Sequence, residues 1–170
     1  FIIIINLMFY LKLADYISML PMNYWGLMIL YYILYEFKLL PYLFSVRYII
    51  GFTTIIAISE VIKIIVYPYT KLAKRPIGAN NSNFLANNGN VEGKPGLPST
   101  HSAIASYFFI YNFLILYNTN LIKNTTIFHI LNISILLGTG WARYYKKCHS
   151  MIQIITGVVF GMVYATLFYY

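Results

Sequence analysis

Two of the chain's three histidines stand among its cations. His101 closes the run Pro98-Ser99-Thr100-His101, and His149 follows Arg143 by six places, just behind Lys146 and Lys147. Lys71, Lys74 and Arg75 come earlier, in a polar stretch that also holds Lys94. Imidazoles beside guanidinium and ammonium groups suit anion chemistry, because the cations hold negative oxygens while the imidazoles take or give protons. Both histidines are expected to open helices, where unpaired backbone N–H groups add to the attraction for an anion. Metal binding is the rival use of histidine. With three His, one Cys, one Asp and three Glu, no paired-His helix motif and no acid beside His101 or His149, the chain lacks the convergent ligands a metal site needs. No metal and no cofactor is therefore expected. Ser99 has neither bracketing glycines nor an acid placed for a triad, so it does not read as a nucleophile elbow.

The elements that must position these residues follow from composition. Of 170 residues, 60% are hydrophobic and only 9% charged, which is far from the balance of a soluble domain. The fold class expected is an all-α integral membrane helical bundle. Its net charge of +8 does not point to nucleic acid, whose binders need a water-facing basic surface this chain barely has. Membrane lipids, a phosphorylated ligand or topology account for the charge instead. The single Cys forms no internal disulfide. Apolar runs predict helices at about 1–13, 22–40, 43–67, 101–117, 126–145 and 149–170, that is, five full-length transmembrane helices plus a short N-terminal sixth. Pro21, Pro41 and Pro68 fall at their ends. They form one domain over 1–170 with a polar, Asn-rich loop at 68–100, longer than a bundle connection usually is. Because the chain begins at Phe1 rather than Met, removal of an upstream segment is expected.

Counting spans back and forth brings the end of the third helix, the start of the fourth, the end of the fifth and the start of the sixth to one rim. Arg75, His101, Arg143 and His149 meet there, whereas the opposite rim has only Lys38, Arg47 and Lys123 for cations. The positive-inside rule alone produces such an asymmetry; two histidines on the same rim are what it does not explain. His129, alone near the opposite rim, reads as a packed polar residue.

These residues resemble the three-part signature of the lipid phosphatase superfamily, which includes type 2 phosphatidate phosphatases and vanadium haloperoxidases. The family pattern is Lys-x6-Arg-Pro, Pro-Ser-Gly-His and Ser-Arg-x5-His-x3-Asp; here it meets Lys74-Arg75-Pro76, Pro98-Ser99-Thr100-His101 and Arg143 with His149. The resemblance runs from about Asp15 to the end. It is closest to the dolichyl diphosphatase branch, whose second motif allows Pro-Ser-Ser-His and whose third ends in Gln, as Gln153 does here, with a Gly four places on like Gly157. Glu60, in the context Ser59-Glu60-x2-Lys63, is similar to that branch as well. Two departures stand out: Pro68 occupies the place of the motif Lys, and Ala142 that of the Ser beside Arg143. The missing charge is then expected from Lys63, paired with Glu60, or from Lys71 or Lys74.

The resemblance implies a membrane-embedded phosphatase that hydrolyses a polyisoprenyl, dolichyl-type diphosphate or related lipid phosphate through a phosphohistidine. His149 would be the nucleophile, His101 the acid for the leaving oxygen, and Gln153 the group orienting His149. Arg75, Arg143, Ser99 and Thr100 would cradle the phosphate together with Lys63, Lys71 or Lys74. Such an enzyme would sit in the endoplasmic reticulum. The alternative is a catalytically degenerate relative, a structural accessory subunit of a larger complex in the mitochondrial inner membrane. Its motives are the displaced lysine, Ala142 and a bias toward Ile, Tyr, Phe and Asn that AT-rich, organelle-type coding produces.

Overall fold

Each long apolar run is helical, since in an apolar environment only intrasegment hydrogen bonds satisfy the backbone of an isolated run. A computed structural model describes residues 2–36, 46–80, 89–119 and 125–170. Among them five α-helices follow in order: α1 (Ile2–Glu36), α2 (Val46–Val66), α3 (Thr100–Thr119), α4 (Thr126–Tyr145) and α5 (Met151–Tyr169), with a 3₁₀ turn at Lys71–Ala73 and no strands. The expected helix end at Pro41, the cations Lys38 and Lys123, and residues 81–88 of the Asn-rich stretch lie outside the described residues.

The expected break between a first and a second helix does not occur: α1 runs unbroken for 35 residues with Pro21 inside it. Proline removes one backbone bond to the residue four places earlier, here Ile17. Opening the helix further in apolar surroundings would leave more N–H and C=O groups without water to bind, so continuing costs less than stopping. A second correction concerns α5, which starts at Met151 rather than at 149, because Ser150 caps it. The Ser150 hydroxyl accepts from Gln153 N (3.4 Å), and Gln153 Oε1 accepts from Ser150 N (3.2 Å). His149 therefore precedes the helix rather than opening it.

α5 packs chiefly on α3. Gly157 and Gly161 lie one turn apart on one side of α5, and a Cβ on either would run into the carbonyl of Ser99 or of Ala103. The absence of side chains lets the two backbones close up, and Ser106 Oγ bonds Val158 O across the seam at 2.9 Å. Toward one end of the bundle α2, α3 and α5 enclose an aromatic core. Tyr48 meets Tyr111 edge-on at 4.7 Å between ring centroids, and Tyr107 donates to the Tyr48 carbonyl at 3.2 Å.

The opposite end buries polar groups instead. Ser59, Lys63, Ser99, Thr100, His101, Arg143, His149 and Gln153 are all inside, while Ile64, Leu137 and Leu167 point outward at 71%, 67% and 75% exposure. Apolar outside and polar inside is the arrangement that lipid, not water, favours. Of the five full-length spans expected, α2 and α5 are long and apolar enough to cross a membrane by length and composition, which is compatible with a membrane protein. α3 and α4 have similar length but spend positions on buried Ser102, Ser106 and Asn112, and on Asn132, Thr139 and Arg143.

Candidate active site

The polar end is where α2 and α4 finish and where α3 and α5 start. Two segments of the long loop, 68–80 and 89–99, are joined to each other: Arg75 N donates to Lys94 O (3.0 Å), Gly96 N to Ala73 O (2.7 Å), and isolated bridges pair Lys74 with Pro95 and Asn80 with Asn90. Turns at Gly78 (φ 74°) and Gly93 (φ 70°) use the left-handed backbone that glycine adopts without strain. The described parts of this loop thus form an ordered clasp across the end of the bundle. Gly96 lies so close to the Arg75 side chain and to Gln153 Oε1 that a Cβ there would stand 2.8 Å from each.

Arg75 is held by its Nε on Pro95 O (3.2 Å) and by NH1 on Cys148 O (3.1 Å), which ties the clasp to the segment before α5. Arg143, in the last turn of α4, is buried and donates to Ser18 Oγ of α1 at 3.0 Å. After α4 the chain reverses through Lys147 in left-handed conformation (φ 54°), with Cys148 N returning to Arg143 O at 3.0 Å. This reversal delivers His149, 2% exposed, beneath the clasp.

Gln153 organises the centre. Its Nε2 donates to Leu72 O (2.9 Å) and Lys74 O (2.8 Å), so its amide can be placed only one way round. Oε1 is then an acceptor, and it faces His149 Nδ1 at 3.2 Å. Nδ1 must carry the proton, which leaves the lone pair on Nε2. Burial first, and then the charges of Arg143, Arg75 and Lys63 with His101 behind them, hold the His149 imidazole well below its ordinary pKa, so it is neutral at physiological pH. Burial lowers Arg75 as well, although a guanidinium stays charged.

From the other side come α2 and α3. Lys63 Nζ donates to Glu60 Oε1 (2.5 Å) and to Thr100 Oγ1 (2.5 Å), and the Thr100 hydroxyl in turn donates to Glu60 Oε1 (2.7 Å). Ser99, fully buried, is tied by its N–H to Gln153 O (2.9 Å), so the starts of α3 and α5 are locked together. His101 is 8% exposed, and its Nε2 has no hydrogen-bond partner among the described residues. A buried polar atom in that condition points to a ligand that completes it.

Of the residues expected from sequence, Arg75, Ser99, Thr100, His101, Arg143, His149, Gln153 and Lys63 come to this one end. Lys71 and Lys74 do not join them. Both are exposed, and the Lys74 ammonium lies over the Tyr67 ring, 5.9 Å from its centroid. The 3₁₀ turn directs them outward while the backbone carbonyls of Leu72 and Lys74 face in toward Gln153. His129 sits near the far end of α4 against Phe113, 5.3 Å between rings. Among the described residues no three His, Cys, Asp or Glu side chains converge as metal ligands would.

Sequence reasoning missed three contributors. Ser18 holds Arg143, Asp15 pairs with Lys146, and Ser150 sets the start of α5. Asp15, the only aspartate in an apolar chain, and the Ser-x2-Gln pattern of Ser150 and Gln153 were the available signals.

The arrangement pairs an acceptor-oriented imidazole with two guanidiniums, one ammonium and a second imidazole in a buried, water-poor end of a helical bundle. Such a cluster can bind a tetrahedral oxyanion and exchange protons with it. The chain matches the PAP2 superfamily over residues 38–170. No curated protein and no solved structure matches it. Since the match covers most of the chain and contains the whole cluster except its supports on α1, this protein belongs to the PAP2 superfamily, a membership that implies phosphatase activity on lipid phosphates.

Proposed function

We propose that the chain is an active lipid phosphate phosphatase working through a phosphohistidine on His149, with a polyisoprenyl, dolichyl-type diphosphate as substrate. One observation carries this reading: Gln153 leaves His149 neutral at Nε2 in a nest of buried cations. The lone pair of Nε2 attacks the terminal phosphorus. As the N–P bond forms, the P–O bond to the lipid monophosphate breaks, and His101 gives its proton to the departing oxygen. Arg75, Arg143 and Lys63 neutralise the equatorial oxygens, and Ser99 and Thr100 line the cradle. Water then attacks phosphorus and loses its proton to His101; the N–P bond breaks and inorganic phosphate leaves. Throughout, Gln153 holds Nδ1–H without adding a negative charge, so it fixes the tautomer and lends less electrostatic help than a carboxylate would.

The displaced motif lysine is one motive for the alternative, a non-catalytic subunit of a respiratory membrane complex. Lys63 supports the enzyme reading instead, since its ammonium reaches the start of α3 from inside α2. With a dolichyl-type substrate, the membrane concerned is the endoplasmic reticulum. The test is phosphate release from a long-chain polyisoprenyl diphosphate. His149→Ala is expected to lower it by at least about a thousandfold while the protein still unfolds cooperatively. Activity equal to that of the unaltered protein would overturn the reading.

A further inference from the structure

The His149 side chain has a second neighbourhood. Because α5 leans on α3 through Gly157 and Gly161, its first turn parts from the end of α4, and a cleft of about 830 Å³ opens between them with Pro76 of the clasp at its edge. That volume is in the range of pockets that hold small molecules. The walls are apolar and half exposed: Trp141 at 41%, Met151 at 50% and Ile152 at 46%. Trp141 and Tyr145, one turn apart on α4, stack at 5.1 Å and 20° and present a flat aromatic wall. At the inner end stands His149, which lines both the cleft and the cation cluster, and Lys147 lies beside it. Trp and Tyr next to Lys mark headgroup depth in a bilayer, with the apolar surface below them facing lipid chains.

We propose that this cleft between α4 and α5 seats the first segment of the substrate's apolar chain, so that the lipid reaches His149 sideways from the bilayer. The inference rests on the phosphatase reading above. One observation chooses the occupant. The cleft is continuous with the phosphate site through one side chain, His149, so its occupant must be joined to the phosphate. The apolar chain of the lipid diphosphate meets that condition, and Trp141, Met151 and Ile152 give it an apolar wall.

The experiment has two arms, both on the full chain in vesicles. In the first, Ile152→Trp narrows the cleft, and hydrolysis of a long-chain polyisoprenyl diphosphate is compared with that of methyl diphosphate, whose single carbon leaves the cleft empty. The expected result is a KM raised tenfold or more for the long chain, with kcat/KM for the short substrate within twofold. Equal loss on both substrates, or on neither, overturns the cleft. In the second arm, the unaltered protein is photolabelled with a polyisoprenyl phosphate bearing a diazirine on its first isoprene unit, and labelled peptides are mapped. Label concentrated in residues 141–152 supports the proposal. Label spread over the outward faces of α2 and α5, as bilayer lipid would leave it, overturns it. If the unaltered protein hydrolyses neither diphosphate, the phosphatase reading fails while the labelling pattern still decides the cleft.

Discussion

The side-chain amide of Gln153 has two donors and two acceptor lone pairs, and each has a partner: Leu72 O, Lys74 O, Ser150 N and His149 Nδ1. An aspartate in its place would turn acceptors toward two carbonyls, so the Gln of this chain belongs with a clasp whose carbonyls point inward. His149 shows how such an environment sets protonation. Its pKa lies well below the ordinary imidazole value near 6.5 because burial and three cationic neighbours oppose a second proton. Between the depressed value and about 6.5 the unfolded chain binds the proton and the folded one does not, so stability rises with pH across that window and is complete above it. Thermal unfolding in detergent is therefore expected to show stability falling as pH drops below about 6.5, by at most about 1.4 kcal/mol per pH unit for this one group. His149→Ala should make that fall shallower. An unchanged slope would mean that His149 is protonated in the folded protein.

Among the elements, the α3–α5 seam matters most, because it fixes where two loops of the site begin. Gly161 faces the Ala103 carbonyl and Ser106 Oγ, and backbone cannot step aside as a side chain can. Gly161→Ala is expected to cost about 1–3 kcal/mol. Gly26, also helical but with nothing within 4 Å of an added Cβ, supplies the contrast: Gly26→Ala should be neutral or stabilising by up to about 1 kcal/mol, through helix propensity alone. Unfolding midpoints of the two variants measure both. Similar shifts would mean that α5 does not rely on close approach to α3.

Taken as a whole, the molecule uses α1 as a brace. From Ser18 to Glu36 the helix rises roughly 27 Å, close to the thickness of a bilayer's hydrocarbon core. Ser18 and Asp15 meet Arg143 and Lys146 at the site end, and residues 2–14 carry the helix on by roughly 20 Å. The candidate site thus leans on a helix that supplies supports for Arg143 and Lys146 rather than members of the histidine and arginine cluster. Ser18→Ala removes one acceptor from a buried guanidinium, an interaction worth about 1.5–3 kcal/mol. Vanadate, which mimics a transferring phosphoryl group, should bind this variant about tenfold more weakly, with Ser18→Thr restoring most of the loss. Unaltered vanadate affinity in Ser18→Ala would show that Arg143 is positioned without α1.

The residue types alone determined a good deal. Apolar runs fixed a helical bundle, and alternation of direction along the chain sent His101, Arg143 and His149 to the same end, because a helix too apolar to bend back must deliver its two ends to opposite sides. Tertiary structure decided what period and composition do not encode. Lys63, Lys71 and Lys74 are equivalent as charges in a sequence, yet only Lys63 turns inward, because α2 points it at Thr100 while the 3₁₀ turn aims the other two at solvent. Pro21 reads locally as a stop, but the cost of exposing more backbone keeps α1 whole. The tautomer of His149 hangs on two carbonyls some eighty residues away, at Leu72 and Lys74. Contacts of that separation arise from packing, and packing is settled only when the described helices α1 to α5 are all in place.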